Sequence, residues 1–214
     1  MPDARTTEFD WARYADATLA GLSVLIPIPF VDDAFEGYFR KRIPGAVARS
    51  RGRTLSGEVR AVIDEEEAAG RGGCATLPGR LVVGLFKRLS RKLLYFLTVK
   101  QASDRLSHYW YRAFLMDHML ASGHLESPES ARVAHQAMEE LLATTAGPLP
   151  RLAQQMVAQM RNVWPALRQA RRGEEPDEVR QTRNQLERRW NEFAEHLGDV
   201  AARYDEVYAR KRDV

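Results

Sequence analysis

The chain has 214 residues, of which 44% are hydrophobic and 29% are charged. This length and composition are typical of a folded globular protein and exclude wholesale disorder. Cys74 is the only cysteine, so an internal disulfide and a thiolate metal cage are both excluded. We expect a reducing, cytoplasmic location, since the acidic segment 1–16 also lacks the apolar core of a secretory signal.

The net charge of +3 is unevenly distributed along the chain. Residues 37–57 contain six basic residues and no acid, and residues 68–103 contain seven basic residues and no acid. An acidic run over 64–67 separates these two blocks. Blocks of this kind form either a solvated face or a binding surface for an acidic partner.

Helix-forming residues dominate the chain, and the alternating β-branched runs that predict strands are nearly absent. We therefore predict an all-α fold, a multi-helix bundle. The first helix is predicted over 10–25, and Pro27 and Pro29 cannot continue it because they lack a backbone N–H. Asp32 or Asp33 is predicted to cap the second helix.

The apolar stretch between these two helices supports two interpretations. It is either a buried bend between helices, or an apolar loop that enters a lipid interface with Ile28 and Phe30. The second interpretation places an apolar tip beside a cluster of cations, namely Arg40, Lys41 and Arg42. A peripheral membrane protein combines these two features.

The next residues predict helix boundaries and a linker in the first half of the chain. Pro44 and Gly45 are expected to kink or end the second helix. Ser56 is predicted to cap a short helix that Gly70 closes. The Gly-rich segment 70–80 is predicted to be a linker.

A long apolar and basic stretch, 81–122, follows as one helix or as two helices that break at Ser103. Residues 81–99 have the length of a membrane span, but four central cations would each cost roughly 2.5–3.5 kcal/mol at the bilayer centre. As a helix, the stretch separates an apolar face from a basic face of roughly 140°. It is either a core helix with a solvated basic face or a helix that contacts an anionic membrane or acidic partner through Arg80, Lys87, Arg88, Arg91 and Lys92.

The best polar cluster falls on one face of the region 100–118, and Asp104 and His108 have the i, i+4 spacing of a hydrogen-bonded pair. The cluster predicts a structural polar network, with a metal site or a proton-transfer site as the alternatives. No third metal ligand follows at a recognisable spacing, so we predict neither a metal nor a cofactor. The members are Lys100, Asp104, His108, Tyr111 and His118.

Two further helices are predicted before the C-terminal segment. Ser127 followed by Pro128 is a strong start signal, because proline suits the first helical position. That helix is predicted to end near Gly147. The next helix is predicted over 150–170, with a kink at Pro165.

The C-terminal helix carries a heptad seam, in which apolar residues alternate at spacings of four and three. The seam packs either on the protein's own helices or on a second copy as a coiled-coil homodimer. Its residues are Leu186, Trp190, Phe193, Leu197, Val200, Tyr204 and Val207.

These patterns predict a helical core domain over 1–172 and a C-terminal helix over 173–214. The phosphate-binding, serine-hydrolase and zinc-protease motifs are absent from the sequence, and we predict no catalytic residue and, on balance, no enzyme. The leading hypothesis is a non-enzymatic protein, acting as a scaffold at an anionic membrane surface or on an acidic protein. The alternatives are a ligand-binding protein or enzyme with a pocket at Asp104 and His108, and a nucleic-acid-associated protein.

Overall fold

The computed structural model describes residues 9–26, 30–70, 91–145, 148–159 and 163–213, and for 66–70, 91–98, 159 and 164 it describes the backbone only. These residues form α-helices, turns and two short 3-10 segments and contain no strand, which confirms the all-α prediction. The helices are α1 (Trp11–Leu22), α2 (Val31–Arg40), α3 (Ile43–Ser50), α4 (Gly57–Gly70), α5 (Arg91–Ala121), α6 (Pro128–Thr144), α7 (Leu149–Gln159), α8 (Val163–Arg171), α9 (Asp177–Trp190) and α10 (Ala194–Arg212). The 3-10 segments are Ser23–Leu25 and Asn191–Phe193.

Two helix starts follow the capping signals of the sequence. The Ser127 hydroxyl accepts a hydrogen bond from the backbone N–H of Ser130, and Pro128 occupies the first turn of α6. The Ser56 hydroxyl accepts from the backbone N–H of Val59 at the start of α4. Both predictions are confirmed, because capping depends on residues within one turn of each other.

One prediction on a helix boundary is wrong, and another is decided between its two alternatives, since the described part of 81–122 is one helix. The residue that caps α2 is Phe30, and Asp32 and Asp33 lie inside the first turn, where their charges favour the positive end of the helix dipole. The long helix α5 passes Ser103 without a break. The Ser103 hydroxyl donates to the carbonyl of Val99, so its polar group is satisfied inside the helix.

Prolines start helices here rather than end them. Pro44 lies in the first turn of α3, and Pro165 lies in the first turn of α8, where the missing N–H has no intrahelical partner to lose. The first helix is shorter than predicted, since α1 gives way to the 3-10 segment at Ser23. Of the Gly-rich segment, only the backbone of Gly70, at the end of α4, is described.

Helix α5 is the central helix of the bundle. Helices α1, α3, α6, α7 and α10 all pack against it, and every residue from 111 to 120 is buried. Tyr109, Trp110 and Phe114 are also buried, as their spacing in the sequence indicates. The Trp110 indole N–H donates to the Thr18 hydroxyl of α1 at 2.9 Å.

A buried ionic cluster joins α1 and the end of α3 to α5. The Asp117 carboxylate is fully buried. Arg51 donates to both of its oxygens, from Nε at 2.5 Å and from Nη2 at 2.8 Å, and Arg13 donates from Nη1 at 3.3 Å. Since a buried charge is tolerated only when it is paired, this cluster depends on all three side chains.

The heptad seam of α9 and α10 lies in the chain's own core. The seventh residue of the seam, Val207, is half-buried against the same core. The other six are at most 2% exposed: Leu186, Trp190, Phe193, Leu197, Val200 and Tyr204. Helix α9 packs on α1, and α10 packs on α6 and α5. A coiled-coil dimer through this seam would require these side chains to leave the core.

Candidate functional site

The turn before α2 exposes one large aromatic side chain. Phe30 is 84% exposed, although Leu22 and Ile26 just before it are buried. The φ angle of Phe30 is +69°, in the left-handed region that is unfavourable for bulky side chains. Residues 27–29, and Ile28 with them, lie outside the described part of the chain. The described part of this apolar stretch therefore combines a buried bend with an exposed apolar tip.

An arginine from a distant part of the sequence covers the aromatic residues of α2. The guanidinium carbon of Arg171, in the last turn of α8, lies 5.4 Å from the ring centroid of Phe35 and 5.2 Å from that of Tyr38. On the other side, the guanidinium of Arg42 donates to the Tyr38 hydroxyl at 2.9 Å. Each cation–π contact contributes about 0.5–1 kcal/mol at an exposed site, so these contacts hold Arg171 in place.

A cavity of about 350 Å³ opens between α2 and α8. We call it the arginine pocket; its lining residues are Phe35, Arg168, Arg171 and Arg172. The three arginines are spaced i, i+3 and i+4, which places them on one side of the end of α8, and their side chains are exposed. We call the arginine pocket together with Phe30, Tyr38, Lys41 and Arg42 the α2–α8 surface.

The three cations predicted at the end of α2 have different environments. Arg40 is only 9% exposed, so little of it is accessible to a partner. Lys41 is exposed. Arg42 forms an ion pair with Asp16, whose Oδ1 lies 3.0 Å from Nε. Burial raises the pKa of Asp16, and the charge of Arg42 opposes that rise.

The ion pair of Asp16 and Arg42 also borders a second cavity, of about 470 Å³, between α1, α3 and the turn that precedes α9. Trp11 and Leu19 give this cavity apolar walls, while Glu174 and Glu175 add negative charge at the turn. Its mixed lining favours no single class of ligand.

The second predicted basic group falls mostly beyond what the structure describes. Arg80, Lys87 and Arg88 lie outside the described residues, and Arg91 and Lys92 are described only by their backbone at the start of α5. The amphipathic face that these residues define therefore stays a prediction from the sequence.

The predicted polar cluster is spread along α5 and does not form one pocket. Between Lys100 and His118 the helix rises roughly 27 Å, so its two ends meet different neighbours. Lys100 and Asp104 are exposed. No described hydrogen bond joins the Asp104 carboxylate to His108, and neither of the two cavities above is lined by them.

His108 lies near a polar network between α5 and α6. Arg112, which is 4% exposed, donates to Glu139 and lies 3.1 Å from Nε2 of His135. Burial, and next the charge of Arg112, lower the pKa of His108 to about 4. The imidazole is therefore neutral near pH 7. His135 and Glu139, an i, i+4 pair in the sequence, face the same arginine.

The remaining two members of the cluster connect α5 to the C-terminal helix. The Tyr111 hydroxyl lies 2.8 Å from Nε2 of His196, and Nε2 of His118 lies 2.8 Å from Oδ1 of Asp205. Burial raises the pKa of Tyr111 to about 12, so its hydroxyl keeps its proton. These contacts join α5 to α10.

The described residues lack two kinds of feature. They contain no group of three or more His, Cys, Asp or Glu side chains that could hold a metal ion. None of their helices has both the length and the apolar character that a membrane span requires.

Sequence reasoning missed the three arginines of the arginine pocket. Their spacing on one helical face was visible in the sequence, but it resembles a solvated helix end whose cations complement the dipole. The missing information was the position of α2, whose Phe35 and Tyr38 turn this helix end into one wall of a cavity.

No protein-family model matches the chain, and no curated protein or solved structure shows significant similarity to it.

Proposed function

We propose that this protein attaches peripherally to an anionic membrane surface through the α2–α8 surface. The observation that carries the proposal is the 84% exposure of Phe30 at the start of the helix whose Phe35 borders the arginine pocket. Phe30 and Phe35 are separated by roughly 7.5 Å of helix rise. An exposed apolar tip next to cations matches the apolar interface and the charged headgroups of a bilayer.

The energies of these contacts are sufficient for reversible attachment. Burial of a phenylalanine side chain contributes about 1.5–3 kcal/mol. Each cation close to an anionic surface contributes about 1 kcal/mol before screening. Asp32 and Asp33 in the first turn of α2 oppose the approach of anionic lipid, so the attraction is weaker than a sum over the cations. The basic residues of 80–92 support the proposal from the sequence alone.

The test is co-sedimentation with vesicles of phosphatidylcholine, with and without phosphatidylserine, at low and high salt. We expect binding only to vesicles that contain phosphatidylserine, and less binding at high salt because exposed charges are screened. Phe30→Ser should weaken binding by about tenfold, and Phe30→Leu should retain it. Lys41→Gln should weaken it by about fivefold, whereas Arg188→Gln, at an exposed position of α9, should leave it unchanged.

Three results would overturn the proposal. They are no binding to either vesicle at low salt, equal binding by the wild-type protein and the Phe30→Ser variant, and binding to duplex DNA or an acidic protein without binding to vesicles. The last result would show that the protein binds a polyanion other than an anionic lipid surface.

A further inference from the structure

The arginine pocket gathers more positive charge than the helix end requires. Cations in the last turn of a helix favour its dipole, and three arginines stand here at the spacing i, i+3 and i+4. The cavity of about 350 Å³ is lined by all three arginines, Arg168, Arg171 and Arg172. This volume is at the lower end of the range of small-ligand sites.

The pocket is also held in a defined shape on one side. Arg171 is stacked on Phe35 at 5.4 Å and on Tyr38 at 5.2 Å, and Tyr38 is in turn fixed by Arg42. A cation whose position is set before binding loses less conformational freedom when a ligand arrives. The other two cations of the pocket are Arg168, one turn earlier on α8, and Arg172, in the turn that follows the helix.

Guanidinium groups discriminate among anions by geometry. Each presents several N–H donors in one plane and binds two oxygens of a phosphate or carboxylate side by side. Three guanidinium groups around one cavity offer more donors and more charge than a single carboxylate uses. A phosphate monoester carries close to two negative charges at pH 7 and three terminal oxygens that accept hydrogen bonds.

We propose that the arginine pocket binds the phosphate of a phosphomonoester, such as the headgroup of a phosphorylated lipid. The inference rests on the proposed function, because the pocket is part of the surface that faces the bilayer. It adds a selectivity that general charge attraction lacks: at equal vesicle charge, a lipid with a terminal phosphate is bound more tightly than phosphatidylserine. The phosphate is bound without any covalent step.

The test compares vesicles of equal surface charge that contain either phosphatidylserine or a phosphatidylinositol monophosphate, together with a soluble inositol phosphate in a calorimeter. We expect tighter binding to the phosphoinositide vesicles, by at least about tenfold, and measurable binding of the soluble inositol phosphate. The double variant Arg168→Gln/Arg172→Gln should lose this preference and still bind both vesicles. The control Arg188→Gln/Arg203→Gln, which changes the same number of exposed charges on α9 and α10, should keep it.

The outcomes separate this inference from the proposed function. Equal binding to both kinds of vesicle, with no binding of the soluble inositol phosphate, overturns the phosphate site and leaves membrane attachment standing. Binding of the soluble compound without binding to any vesicle supports the phosphate site and overturns membrane attachment. A preference that survives in the Arg168→Gln/Arg172→Gln variant while circular dichroism shows an unchanged fold also overturns the site.

Discussion

The contact between α1 and α5 predicts that Gly21 cannot be replaced by alanine without loss of stability. A Cβ at Gly21 would lie 2.5 Å from Cα and 2.9 Å from the backbone N of Leu106. Real Cβ atoms essentially never approach other atoms this closely. Since the obstacle is the backbone of the central helix, no side-chain rotation relieves the clash, and the two helices must move apart.

Two effects of opposite sign decide the magnitude. Alanine is more favourable than glycine inside a helix by about 1 kcal/mol. Overpacking of a well-packed core costs about 1–3 kcal/mol and more where the backbone must shift. Because α1 packs closely on α5 and the contact is between backbones, we expect the second effect to exceed the first. The net result is a loss of about 1–2 kcal/mol in the free energy of unfolding, or a fall of roughly 2–8 °C in Tm.

The assay is urea denaturation followed by circular dichroism, with Gly198→Ala as the matched control. Gly198 is also inside a helix, α10, but a Cβ there would meet no atom within 4 Å. The control should therefore gain about 0.5–1 kcal/mol from helix propensity alone. If Gly21→Ala is stabilised as much as Gly198→Ala, the close approach of α1 and α5 is wrong.

Two further predictions concern buried charge. Asp117→Ala should lower the free energy of unfolding by about 3–5 kcal/mol in urea denaturation, because it leaves two buried arginines without their carboxylate; Asp177→Ala, which breaks an exposed pair, should cost less than about 1 kcal/mol, and equal losses would refute the argument. The pKa of His108 is about 4 in the folded state and near 6.5 in the unfolded state. Protonation therefore favours the unfolded state. The stability that is present above pH 6.5 is lost as the pH falls towards 4. Compared with a His108→Gln variant, the wild-type protein should lose about 2–3 kcal/mol more over that range, and parallel stability curves would contradict the lowered pKa.

Features that depend on neighbours in sequence could be predicted from the sequence. The helical class and the caps at Ser56 and Ser127 depend on residues within one turn of each other, and the structure has them as expected. The cap of α2 is an exception among these local features. Phe30 adopts a left-handed conformation, which residue preferences alone assign to glycine or asparagine rather than to phenylalanine.

The direction of polar side chains on α5 could not be predicted. A helical wheel assumes one buried face and one solvated face, but α5 is surrounded by helices over much of its length. Asp104 and His108 share a face on the wheel, yet Asp104 is exposed while His108 lies near Arg112 of the network with α6. The spacing of residues along one helix shows which of them share a face. The partner of each residue depends on which helix packs against that turn of α5.

The arginine pocket shows why charge counted along the chain misleads. Residues 168–178 contain three arginines followed by four acidic residues, so a window over them is nearly neutral. In the fold these charges meet different partners: Glu175 pairs with Arg183 at 2.6 Å and Asp177 pairs with Arg180 on α9, whereas Arg171 contacts the aromatic rings of α2. Electrostatic attraction depends on distances in space, so the charge of a window along the chain does not give the charge of the surface that its residues form. A stretch that is neutral in sequence can thus present a concentrated positive charge to one side of the molecule.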